Sequence, residues 1–288
     1  MALSITNHIV SLMAQQSFSK TSGSLAQSIE RLSTGLKINR GADGPAALVI
    51  SEQQRAQIAS LNAALQATNR TVAIVQTGDS ALGQISSLLT RVRGLIVDSA
   101  NSGTNDAAML QANQAEIDQA VGAVNQIGAT TKFGDIQLFS GSTTLRAGAG
   151  GQELTLPEVN ASTLGMATDD SSTPTADQSF ASITGSGANS VAGGNAAKAL
   201  EIVDRAISQV AGLRGELGAF QANALESSAD NLMTSLENTT AAESAIRDTD
   251  FAAEIANYTR LQIQMQVGAL VLKNANQTSQ LVASLLRG

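Results

Sequence analysis

Cysteine is absent from the chain, which excludes disulfides, thiolate metal sites and cysteine nucleophiles together. Tryptophan is absent too, and aromatic residues make up only 2% of the 288 residues, so the 43% hydrophobic content is almost all Ala, Leu, Ile and Val. That inventory suits long helix seams better than a thick globular core. Only 3 prolines are present, so little interrupts helix over long distances. The 17 basic residues are scattered, and against 24 acidic ones they leave a net charge of -7, which argues against nucleic acid as a partner. Lys20 is the first basic residue, and no small-residue cleavage site follows the first apolar positions, so no cleaved signal peptide is expected. The apolar run from Val267 to Leu272 is too short to cross a bilayer, and no membrane insertion is expected.

What is present is periodicity. Ile5, Ile9, Leu12, Leu25, Ile29, Leu32 and Leu36 fall on one stripe of an amphipathic helix. The stripe stops in KINRGADGP (37–45), where Pro45 can open a new helix at its first position. The rhythm then resumes at Ile58, Leu61, Leu65, Thr68, Val72, Val75, Asp79, Leu82, Ser86 and Leu89. Roughly fifty residues of helix extend about 75 Å. After the turn cluster NSGTND (101–106), a third stripe runs through Leu110, Ile117, Val121 and Val124. LR (145–146) and ELTL (153–156), with glycines 148, 150 and 151 between them, predict a β-hairpin. Residues 166–195 are rich in Ser, Thr, Ala, Asp and Gly and predict a linker or solvent-facing loop without a core.

Helical rhythm returns from Leu200 to Phe220 and again at Leu232, Leu236 and Ile246. The last stripe is Phe251, Ile255, Tyr258, Met265 and Leu272, with Leu285 and Leu286 closing the chain. Within DTD (248–250) the acidic side chains can cap that helix. Two terminal stripes with no core between them must bury their apolar faces on each other, on other copies or on a membrane surface. The expected fold class is mainly α: a long antiparallel helical coiled-coil rod with paired N- and C-terminal helices, one small β-hairpin region and no large outer variable domain.

Chemistry for catalysis is not expected. The single histidine, His8, has no partner for general-base or metal work, and Asp248 with Asp250 lacks a third oxygen cluster for a cation. The glycines at 148–151 read as a turn and not as a phosphate cradle. Catalytic residues, metal ligands and cofactors are all expected to be absent.

Three stretches carry a resemblance to a known family: SIERLSTGLKINRGADGPAA (28–47), RVRGLIVDSANSGTND (91–106) and DTDFAAEIANYTRLQIQMQVGALVLKNANQ (248–277) with its LLRG ending. In that order they resemble bacterial flagellin, the subunit of the swimming filament. The resemblance implies an inner tube from 1–44 and 248–288, an outer rod from 45–165 and 196–247, and a variable part reduced to 166–195. It implies export, unfolded, through the flagellar type III apparatus to an extracellular flagellum. The partners it implies are other flagellin subunits, an export chaperone on the C-terminal helix, and the filament cap and hook-junction proteins. The family's contact positions for the flagellin-sensing Toll-like receptor fall on Arg91, Leu95 and Glu116, with Gly94 where many members have Glu. At FGD (133–135) the family commonly has Phe-Asn-Gly, which implies a shifted turn before the hairpin. The hook–filament junction protein is the alternative, similar at the N-terminus, and the C-terminal match favours the filament subunit. A different class, a secreted coiled-coil effector or amphipathic membrane binder, would need a more basic polar face than these helices have.

Overall fold

The computed structural model describes residues 9–101, 106–148, 151–166 and 178–285. Ile5, His8 and Leu286 lie outside the described residues, and Leu285 is described in its backbone alone. The fold is mainly helical, with long helices that pair the N- and C-terminal segments and, among the described residues, two small two-stranded sheets. Two compact units are present, 1–60 with 236–288, and 61–235.

In the first unit α1 (Ile9–Thr34) packs along α6 (Phe251–Leu285). Ser28 meets Glu254 and Phe18 lies over Gly268, so the two helices run antiparallel. α1 ends where Gly35 takes a left-handed φ of 73°, a conformation that costs glycine little. Residues 35–37 then lie beside 247–249: Lys37 N–H donates to the Arg247 carbonyl at 2.6 Å and Thr249 N–H to the Gly35 carbonyl at 2.9 Å. A 3-10 turn over Gly41–Asp43 leads into α2 (Pro45–Ala100), which Pro45 opens as its missing N–H allows. Asp250 caps α6, its Oδ1 accepting from the amides of Ala252 and Ala253 at 2.9 and 3.1 Å. The capping role read from DTD is therefore the one observed.

The second unit holds the core. Along α2 the large buried apolar side chains are Val75, Leu82, Ile85, Leu89, Val92 and Ile96, with Gly78 set against Leu217 and Phe139. This stripe alternates steps of three and four and passes beside Asp79 and Ser86, which lie on the expected stripe. Asp79 faces outward instead, accepting from Arg214 Nε at 2.7 Å. α3 (Ala107–Thr130) starts at Asp106, whose side chain accepts the Met109 amide at 2.8 Å, and buries Ile117, Val121 and Val124. α4 (Ala196–Ala219) buries Ile202, Val203, Ala206, Val210, Leu213 and Leu217. Arg93 Nε pairs with Asp204 at 2.7 Å, so two Arg–Asp pairs fasten α4 antiparallel to α2.

Between α3 and α4 the described residues hold two hairpins and the largely irregular segments 156–166 and 178–195. β3 (Thr144–Arg146) pairs with β4 (Glu153–Thr155), which is the hairpin expected from LR and ELTL. A second, unexpected pair, β1 (Lys132–Phe133) with β2 (Ile136–Gln137), turns on Gly134 at φ 62° and Asp135. Positive φ at the first of two turn residues is the type II′ pattern, whose twist suits a hairpin.

The expectation of a coreless linker over 166–195 needs correction for 178–195, while 167–177 lies outside the described residues. Phe180, Ile183 and Val191 are buried in the core, the first two fully. Few apolar residues are needed because α3 supplies the polar partners. Gln114, itself buried, donates to the Ile183 carbonyl and accepts the Val191 and Ala192 amides at 2.8 and 3.2 Å. Asp118 accepts the Gly185 amide at 2.9 Å. Backbone groups satisfied by side chains can be buried without a ladder.

α4 continues through a π-helical segment, Phe220–Glu226, into α5 (Ser227–Arg247). Phe220 and Leu225 are both buried although five residues apart. An α-helix would carry Leu225 off the packed face, and the extra residue of a π-turn brings it back.

Candidate assembly surface

No enzyme-like arrangement occurs among the described residues: no cluster of three or more His, Cys, Asp or Glu could hold a metal ion, and no helix is long and apolar enough to cross a membrane. The feature that stands out is a contrast in burial. Among the described residues of the first unit the buried apolar side chains are Ile38 and Leu261, whereas those of the second unit form one continuous cluster.

The α1–α6 seam explains why. The seam runs along α1 through Ser11, Ala14, Phe18, Thr21, Leu25, Ser28 and Leu32, and along α6 through Glu254, Tyr258, Leu261, Met265, Gly268 and Leu272, with Glu30, Arg31, Asn257 and Ala275 partly covered beside it. Both series step by three and four, as helices packed side by side require. Several seam residues are small or polar, so the pair buries little apolar area. Leu25, Leu32, Tyr258, Met265 and Leu272, expected as packing residues, lie half-buried in this seam, and Leu36 is half-buried beside Asp248. Ile9, Leu12, Ile29, Phe251 and Ile255, expected with them, are exposed instead: Leu12 is 68% exposed and Ile9 61%. Met13, Ile263 and Leu270 add to the uncovered apolar surface. Leu261 is absent from the expected stripe, which passes from Tyr258 directly to Met265.

Polar contacts anchor this thin seam. Ser28 Oγ donates to Glu254 Oε1, Asn257 Nδ2 donates to the same oxygen at 3.2 Å, and Arg31 Nη1 lies 3.9 Å from Oε2. At the other side of the connecting segments, buried Ser51 donates to Glu243 at 3.0 Å, and Arg247 reaches Glu52 at 3.0 Å. The 37–45 connection is organised by Asp43, which accepts from the Arg40 amide at 2.9 Å, the Asn39 amide at 3.1 Å and Gln27 Nε2 at 2.7 Å. The Arg40 amide above all, then the Asn39 amide, Gln27 and the Arg31 charge, hold its carboxyl below the ordinary carboxylate range against the opposing effect of desolvation.

In the second unit Arg91 Nε donates to Glu116 Oε1 at 2.6 Å, joining α2 to α3. Leu95 sits one turn beyond Arg91, half-buried against the core, and a side chain at Gly94 would meet nothing within 4 Å. The three residues named for receptor contact therefore share one side of the α2–α3 pair.

Residues 5–144 match the bacterial flagellin N-terminal helical region and residues 200–286 the bacterial flagellin C-terminal helical region. Over 98% of this chain and 99% of its own length, flagellin of Bacillus subtilis (strain 168) is 34% identical. The chain belongs to the bacterial flagellin family. As a flagellin it is a structural subunit of the flagellar filament and not an enzyme. It is also 33% identical, over 98% of this chain and all of the relative, to flagellin FlaB2 of Treponema pallidum (strain Nichols). The crystal structure of Bacillus cereus flagellin, 22% identical, matches 66% of this chain and 92% of that one with a TM-score of 0.40, so membership rests on the sequence relationship.

Proposed function

We propose that α1 and α6 form the innermost layer of the filament, where neighbouring copies cover the apolar faces that a single subunit leaves in water. One observation carries this reading: Ile9, Leu12, Met13, Phe251, Ile255 and Leu270 are about half exposed or more on helices whose shared seam has Leu261 as its buried apolar side chain. Large contiguous apolar surface in a secreted subunit is an interaction site. The thin seam also suits a chain that travels unfolded through the flagellar type III apparatus and acts outside the cell. An export chaperone would hold α6 beforehand, and hook-junction and cap proteins would bound the growing filament.

Limited proteolysis of monomer and filament tests this. Both ends are expected to be trimmed in the monomer and protected in the filament, and equal resistance in the two would sink the reading.

We further infer that Arg91, Leu95 and Glu116 form the surface offered to the flagellin-sensing Toll-like receptor. Their grouping on one side of α2 and α3 supports it, and Gly94 leaves that surface without a side chain between them. Monomer applied to receptor-expressing reporter cells should give a response that Arg91→Ala and Leu95→Ala reduce. Silence at high dose would refute it.

A further inference from the structure

The α1–α6 seam poses a problem of register. Its α1 side is built mainly from small residues, Ser11, Ala14, Thr21 and Ser28, spaced in steps of three and four between Phe18, Leu25 and Leu32. Sliding such a helix by one turn along its neighbour puts Leu25 or Leu32 where Ser28 stands and moves Phe18 off Gly268. Side-chain size therefore favours one register, but with half-buried residues the discrimination is modest and a polar contact can sharpen it.

Glu254 adds a polar condition to this steric one. It is 9% exposed, Ser28 is 2% exposed, and they hydrogen-bond across the seam. Arg31 Nη1 lies 3.9 Å from the other carboxylate oxygen, and Asn257, one turn along α6, donates to the first. One turn towards the N-terminus the α1 seam offers Leu25, and one turn the other way Leu32. Neither can donate to a buried carboxylate, so a slipped pair leaves Glu254 without its hydrogen bond across the seam, which is unfavourable for a buried charge.

We propose that Ser28 and Glu254 are positioning residues that set the register in which the terminal helices of each flagellin subunit pair. The pair contributes little apolar burial and is retained for uniqueness, which is the best attested use of a buried polar contact in a helix seam. The proposal deepens the assembly reading above, because subunits whose α1 and α6 stood in mixed registers would present different inner surfaces to their neighbours.

The absence of cysteine makes the test direct. Spin labels are attached at S33C and Q266C, both exposed and well separated along the helix axis, so that sliding changes their distance nearly one for one. Labelled full-length chain is diluted into unlabelled chain and assembled, so that only distances within one subunit are read by pulsed electron resonance. The otherwise native chain should give a single narrow distance. E254Q, which keeps an acceptor for Ser28, should give the same. The double variant S28L/E254L should show a second population displaced by about 5.4 Å, one helical turn, or be excluded from filaments that admit E254Q. Neither residue belongs to the core of the second unit, so folding there is retained and can be confirmed by circular dichroism. A single native distance in the incorporated double variant overturns the proposal. The distance is read within one chain, so it reports register whichever layer of the filament the pair occupies; electron microscopy of the same filaments judges the inner-layer reading separately.

Discussion

Gly128 of α3 lies directly against the backbone of Val159: a Cβ at Gly128 would stand 2.0 Å from the Val159 carbonyl oxygen. The contact seats the segment between β4 and residue 166 on the helix, with the Ala161 amide donating to Asn125 one turn away at 2.7 Å. Alanine in place of glycine in a helix interior ordinarily gains up to about 1 kcal/mol. Here the methyl group collides with backbone, and overpacking of this kind costs about 1–3 kcal/mol. Gly128→Ala is expected to lower the urea midpoint of unfolding, and a raised midpoint would show that the segment yields easily.

Leu12 and Leu82 have opposite roles. Leu82 is fully buried in the second unit and Leu12 is 68% exposed in the first. Leu82→Ala is expected to cost about 2–5 kcal/mol of stability. Leu12→Asp should leave thermal unfolding of the monomer within about 0.5 kcal/mol of native while raising the critical concentration for polymerisation at least tenfold. Normal sedimentation of Leu12→Asp filaments would remove Leu12 from the assembly surface.

The π-turn gives a prediction that runs against the usual effect of deletions. Ala222 is exposed inside Phe220–Glu226, and its removal shortens the step from Phe220 to Leu225 from five residues to four. The helix can then run on as regular α with both residues still on the packed face. Deletion of Ala222 should give a folded chain, whereas deletion of Ala211, within regular α4, should rotate every later seam residue by about 100° and abolish cooperative unfolding. Equal damage from both deletions would show that the π-turn is fixed by its surroundings.

Acid should loosen the connection between α1 and α2. The Asp43 carboxyl is held below its ordinary range, first by the Arg40 amide. A carboxyl depressed in the fold stabilises above its unfolded value of about 3.9, and that contribution is lost as pH falls through the folded value. Asp43→Asn should therefore lower the melting temperature of the chain at neutral pH, with the difference closing as pH drops below about 3.9. A difference that persists undiminished in acid would assign the effect to lost hydrogen-bond geometry and not to charge.

Several features were legible in the residues because they depend on near neighbours. Pro45 at a helix start, Asp250 as a cap and the glycines between β3 and β4 each act within a few residues. The β1–β2 hairpin escaped notice because two-residue strands carry too little alternation to read, although Gly134-Asp135 is a recognisable turn pair. The ordered 178–195 segment was hidden for a different reason: its composition is that of a loop, and what buries it is Gln114 and Asp118, more than sixty residues earlier in the chain.

By itself the sequence determined that this chain makes long amphipathic helices at both ends, with too little aromatic bulk and no cysteine to stabilise them alone, and that those ends are flagellin ends. A repeat near 3.5 residues is enough to establish a helix and a stripe. Tertiary structure decided which neighbouring stripe each helix turns to its partner. On α1 it chose Ser11, Ala14, Phe18 and Leu25 over Ile9, Leu12 and Ile29, and on α6 Leu261 over Ile255. The physical reason is that adjacent stripes on one helix have nearly the same period, so only the position of the second helix, set by contacts such as Ser28 with Glu254, distinguishes the face that is buried within the subunit from the face left for its neighbours.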